Sequence, residues 1–176
     1  MTKLEHALHL TEDTLVHLAD GTYSFCDLLK FEFDGEPSSA ELIAAVLVHP
    51  RYHDMFVSPW TRPKEGVHGP YRLEALTVEG FRACSVAEAL QVLHDWMADP
   101  DVNPKFMAAM LESQEIVAAW TSPMILGADQ IYRLIVPREG NEHGCGWISG
   151  MASGFHELIT IDRRNNVLMV IVATDD

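Results

Sequence analysis

The chain has 176 residues, 48% of them apolar, and carries 26 Asp and Glu against 12 Lys and Arg, a net charge of −14. One core usually serves about 100–200 residues, so a single globular domain is expected, and the apolar fraction excludes the disordered class. Acidity of this size repels nucleic-acid phosphates, so no nucleic-acid partner is expected; a basic protein partner is the kind it attracts.

No apolar run approaches the roughly 20 residues of a membrane span. The opening MTKLEHALHL is broken by Glu5 and His6 and reads as mature sequence rather than a signal peptide. No membrane association and a cytoplasmic location are therefore expected. Cys26, Cys84 and Cys145 are odd in number and far apart, without a C-x-x-C pair, which predicts buried thiols and no disulfide framework.

Along the chain, Asp20-Gly21 between LVHLA and TYSF is a hairpin signal, and Leu29, Phe31 and Phe33 alternate with Lys30 and Glu32 as in a strand. Ser38 and Glu41 have capping-box spacing, and Leu42, Ile43, Val46 and Leu47 continue a helix that should stop near His49, ahead of Pro50. Residues 50–70 read as loop, and a strand is expected from Tyr71 to Val78, with Phe81 to Cys84 extending it. Ser85 and Glu88 predict a second capping box, followed by a helix with Val86, Leu90, Leu93 and Met97 on its apolar face. Asn103-Pro104 opens a third helix, whose buried stripe is expected to be Phe106, Met107, Met110, Leu111, Val117 and Trp120.

Ile131 to Val136 is a predicted strand, and a glycine-rich segment from Gly140 to Gly154 follows, with a short strand around Trp147. A closing hairpin spans His156 to Ala173. With an even loop, Ile159 and Ile161 share a face with Leu168, Val170 and Val172, and Leu158, Thr160, Met169 and Ile171 share the other. A strand apolar on both faces belongs inside a sheet covered on both sides. Strands at both ends with helices between them predict an α+β fold: one domain over 1–176, a largely antiparallel sheet, about three helices and a buried terminal hairpin.

Chemistry-bearing motifs are weak. His49 and His53, four apart with Asp54 beside them, have metal-ligand spacing, but Pro50 breaks the helix that would align them. EHGCGWISG is one residue off a dinucleotide fingerprint, and a strand rather than a helix follows it, so Rossmann binding is excluded. Cys145 with His143 or His156 could make a thiolate nucleophile, although no third orienting residue is evident. No metal and no cofactor are expected.

The segment 49–72 draws most attention, because a long loop mixing cations, histidines and aromatics is unusual on so acidic a chain. Arg51, His53, Phe56, Trp60, Arg62 and His68 are the candidate ligand- or partner-binding residues. The plainer alternative is that Phe56 and Trp60 pin the loop to the core while its cations balance local acids. The functional expectation is a non-enzymatic binding or protein-interaction module, comparable in size, charge and class with antitoxin-like and immunity-like inhibitors of basic enzymes, with which it shares no motif. The competing expectation is a small-molecule-binding protein or enzyme with a His/Cys pocket. Convergence of His49, His53, His143, Cys145 and His156 in one cleft would distinguish it.

Overall fold

In the computed structural model of the chain, residues 8–19, 24–56, 64–98, 104–143 and 154–175 are described. Alternating apolar residues build the first hairpin, β1 (Leu8–His17) against β2 (Ser24–Phe33), with a bulge at Thr11; Asp20-Gly21 lies outside the described residues. Helix α1 (Ser39–Val48) starts on the expected capping box. The Ser38 hydroxyl accepts from the Glu41 N–H at 3.3 Å, and the Glu41 carboxylate accepts from the Ser38 N–H at 2.7 Å. It stops at His49 because Pro50 has no N–H to continue the ladder, and Pro50–Tyr52 forms one 3-10 turn instead.

Two short strands follow, β3 (Val67–His68) and β4 (Tyr71–Arg72). The expected long strand from Tyr71 to Val78 does not form. The apolar alternation slips phase between Ala75 and Leu76, so Leu73–Ala75 and Val78–Gly80 become 3-10 turns before β5 (Phe81–Ala83). Helix α2 (Val86–Met97) has half of its predicted box: the Ser85 hydroxyl caps the Glu88 N–H at 3.1 Å, while the Glu88 carboxylate turns to Arg82 and Arg133. After a 3-10 turn at Pro104–Phe106 comes α3 (Met107–Gly127), then β6 (Gln130–Leu134), β7 (Phe155–Asp162) and β8 (Val167–Asp175).

Six strands form one antiparallel sheet in the order β1-β2-β8-β7-β6-β5, which places the closing hairpin inside it. The hairpin turns through four residues, Arg163 to Asn166, so Ile159 faces Val170 and Ile161 faces Leu168, as the even-loop condition required. Asp162 holds this turn by accepting from the N–H groups of Arg164 and Asn165, and Asn166 supplies the left-handed residue with φ 53°.

The sheet is covered on both faces. On one, Leu29, Phe31, Ile159, Ile161, Leu168 and Val170 pack under α1 and the segment that follows it. On the other, Cys26, Leu28, Leu158, Met169, Ile171 and Ala173 pack under α2 and α3. Both faces of β8 are thus removed from water, and this burial supplies most of the driving force for folding. No helix among the described residues is long and apolar enough to cross a membrane.

The expected stripe of α3 needs correction. Of its residues only Val117 is buried; Phe106 is 58% exposed, Leu111 50%, Trp120 45% and Met107 40%. The helix is apolar on too many sides for one stripe. Its inward positions are Ser113, Val117, Thr121 and Ile125, spaced four apart, and the Thr121 hydroxyl folds back onto the Val117 carbonyl at 2.8 Å. Ser113 and Thr121 alternate with Val117 and Ile125 on the inward face, and several of the large apolar side chains face outward.

Candidate functional site

Two features bear on function, a buried polar cluster beneath residues 51–72 and the outer face of the helical layer. The cluster begins in the sheet. Asp27 on β2 and Glu157 on β7 each stand beside Val172 of β8, so both carboxylates rise on the α1 face, and neither is exposed. Charges buried this way require partners, and the turn after α1 provides them from consecutive residues.

Arg51 donates to Asp27 Oδ2 at 2.6 Å, bidentately to Asp13 at 2.6 and 3.0 Å, and more loosely to Asp54 at 3.4 Å. One guanidinium therefore serves three carboxylates. Burial pushes the Asp27 carboxyl up to about 6, only partly offset by Arg51, with the Asp13 and Asp54 charges adding to the rise. Its Oδ1 has no hydrogen-bond partner among the described residues. Burial would depress the Arg51 guanidinium, but the Asp13 and Asp27 carboxylates more than reverse this and hold it firmly charged.

The Tyr52 hydroxyl donates to Glu157 at 2.9 Å, and His68 lies against the same carboxylate through Nε2 at 2.7 Å. His68 Nδ1 meets the Tyr52 carbonyl at 2.6 Å, and its ring stacks on the Tyr52 ring at 3.7 Å between centroids. Because that carbonyl can only accept, Nδ1 is the donor in that contact. Phe56 and Phe155 close on the imidazole edge-to-face. Burial, and then the Glu157 charge, drive the Tyr52 hydroxyl far above its ordinary range.

Phe56 adopts a left-handed conformation, φ 48°, fixed by its N–H donating to Asp54 Oδ1 at 2.8 Å. Gly69, also left-handed, is required by the approach of Phe155, whose ring occupies the place a Cβ would take. Tyr52, Phe56, His68 and Glu157 are buried, and the cluster reaches solvent only at its Arg51–Asp13 end among the described residues. Its groups hold residues 51–56 and 67–72 onto the sheet.

Of the six candidate residues, Arg51, Phe56 and His68 come together in this cluster, pointing inward. His53 stands at its edge, with Nε2 at 3.2 Å from the Leu47 carbonyl. Trp60 and Arg62 lie outside the described residues. The histidine convergence that would mark the competing reading is not seen among the described residues. His49 packs on Phe31 at the end of α1, His143 meets the Gly69 carbonyl, and His156, opposite Ala173, belongs to the other sheet face. Cys145 lies outside the described residues, and among those described no three His, Cys, Asp or Glu side chains are placed to hold a metal.

No family model matches the chain, and neither a curated protein nor a solved structure does. Function must be argued from surfaces and sites alone.

The outer face of the helical layer is the second feature. Residues 85–129 contain seven acids and one lysine, Lys105. Among the described residues Asp95, Glu112 and Glu115 are exposed on the two helices, and exposed Phe106, before α3, and Met107, Leu111, Trp120 and Leu126 on it stand among them. Large exposed apolar side chains grouped on one element mark interaction surfaces more often than chance exposure does. The signal was present in the sequence. Met107, Met110, Leu111, Ile116, Val117, Trp120, Met124, Ile125 and Leu126 are spread around the helix rather than along one stripe, more apolar surface than the sheet and α2 can cover.

Proposed function

We propose that this chain is a non-enzymatic binding protein that takes a basic protein partner on the outer face of its α2–α3 layer. One observation carries the reading: α3 turns Leu111 to solvent on its α2 side and Trp120 on the opposite flank, while its buried positions include Ser113 and Thr121. Trp and other large apolar residues supply the anchors of protein interfaces, and the surrounding acids would steer a basic partner and reject acidic ones. A second copy of the chain is disfavoured there, because two such layers would bring acid against acid. The inward-facing polar cluster supports the same reading from the other side, since its most unusual titratable groups are sealed from substrates.

Photo-crosslinking tests it. A benzophenone amino acid placed at Leu111 or Trp120, with Arg164 at the hairpin tip as control, should capture one basic protein from cells of the source organism. That protein, purified, should form a one-to-one complex that the double variant Leu111→Glu, Trp120→Glu loses while keeping its circular dichroism. Crosslinking from position 164 alone, or adducts of the chain only with itself, would overturn the proposal.

A further inference from the structure

The exposed series on α3 leads into a groove. Its members Met107, Leu111, Gln114, Ala118 and Ser122 recur at intervals of four, three, four and four, on one side of the helix. The later three line a cavity of about 260 Å³ whose other wall is Leu90, Leu93, His94 and Met97 of α2. The Gln114 side chain reaches the Met97 carbonyl at 3.4 Å and ties the end of α2 to the first half of α3. From Gln114 to Ser122 the groove runs roughly 12 Å at 1.5 Å per residue, about two helical turns.

The size of the cavity narrows the occupant. Small-molecule pockets run from about 300 to 1,000 Å³ and are mostly enclosed, so this cavity suits one or two apolar side chains. Ala118 and Ser122 leave room for a backbone to approach, and Met107 and Leu111, exposed two turns and one turn before Gln114, lie on the same side of α3. Glu115, one turn after Leu111, and Glu112 are exposed along the α3 rim, and Asp95 is exposed on α2. Apolar residues at i, i+3 and i+4 on one face with Lys or Arg around them are what such a groove complements.

We infer that the α2–α3 groove receives a basic amphipathic helix of the partner, with one apolar side chain seated between Leu90, Leu93 and Ala118. This rests on the reading of the chain as a binding protein and adds the form of the bound segment.

The test uses the full chain, labelled with nitrogen-15, and a synthetic 18-residue peptide of Leu and Lys with leucines at helical spacing. A scrambled peptide of the same composition is the control. The helical peptide should shift amides within 90–97 and 107–122, gain helicity on binding, and bind at least ten-fold more tightly than the scrambled one. Ala118→Trp fills the cavity from an exposed position and should weaken binding at least ten-fold without changing the thermal midpoint. Leu111→Glu, also exposed, gives a second variant with the same expected loss. Equal affinity for both peptides, shifts confined to other surfaces, or indifference to both variants would overturn the inference. If the crosslinked basic partner still binds Ala118→Trp at full affinity, the groove is wrong and the binding reading stands. If neither peptide binds and no basic partner is captured, both fall. A dimer that Ala118→Trp dissociates in sedimentation would assign the groove to a second copy of the chain and also overturn the inference.

Discussion

Asp27 and Glu157 stand on opposite sides of Val172 on one face of the sheet, and consecutive residues Arg51 and Tyr52 reach down to them, one to each. With strands about 4.8 Å apart, the carboxylates lie roughly 10 Å from one another. That separation fits two adjacent side chains on a 3-10 turn. Pro50, which ends α1, also creates the turn that aims them. The helix stop and the clamp on the buried acids are one device.

The Asp27 carboxyl should make stability depend on pH near neutrality. Its folded value, about 6, lies above the ordinary 3.8, so the folded state holds a proton that the unfolded chain has released between those values. The stability this proton contributes is complete below about 4 and is lost as pH rises through 6. A shift of this size corresponds to roughly 3 kcal/mol. Chemical denaturation should therefore show a fall in unfolding free energy between pH 5 and 7.5. The Asp27→Asn variant should lose most of that slope. A wild-type protein equally stable at pH 5 and 7.5 would refute the assignment.

The Tyr52–His68–Glu157 group should behave as a unit. Removing one member leaves a buried carboxylate or imidazole without its partner, which costs about 3–5 kcal/mol for a charged pair. Replacing both His68 and Glu157 with Leu removes the charges together. The expected result is that His68→Leu and Glu157→Leu each lower the denaturation midpoint sharply, while the double variant recovers much of the loss. Additive single effects would mean that the two side chains are not coupled.

These contrasts show what the sequence made legible. Strands and α1 were readable because their signals are local: the alternation through Phe33, the Ser38–Glu41 box and the stop at Pro50 each lie within a few residues. The partners of segment 49–72 were not. Asp13, Asp27 and Glu157 are up to 105 residues away from it in sequence, as the Tyr52–Glu157 bond illustrates, and no spacing connects them. For α3 the apolar positions were legible, but the choice of buried face depended on how much surface the sheet and α2 present, which is a property of the assembled fold.

That choice can be checked on α3 by stability alone. Leu111→Lys and Trp120→Lys change half-exposed positions and should alter unfolding free energy by no more than about 0.5 kcal/mol. Ile125→Ala opens a cavity at a position with no exposure and should cost about 2–5 kcal/mol. If Trp120→Lys instead destabilises as strongly as Ile125→Ala, Trp120 belongs to the core, and the surface proposed for the partner disappears with it.

The position of β8 inside the sheet gives the most severe expected substitution. Val170 has no exposure, pairs with Leu29 on one side and Ile159 on the other, and faces the core beneath α1. An aspartate there would place a carboxylate among aliphatic side chains with no cation on the neighbouring strand positions. Either the charge or the proton it must bind costs several kcal/mol, a large part of the 5–15 kcal/mol that holds a typical domain together. Thr11→Asp makes a similar change on the exposed bulge of β1, an edge strand that already carries Glu12 and Asp13. Solvent reaches the new charge there, and acids on an edge oppose strand pairing between molecules. Expressed side by side, Val170→Asp should appear only in the insoluble fraction, and Thr11→Asp should remain soluble with a midpoint within a few degrees of the parent. Soluble, cooperatively unfolding Val170→Asp would show that β8 is not buried on the α1 face.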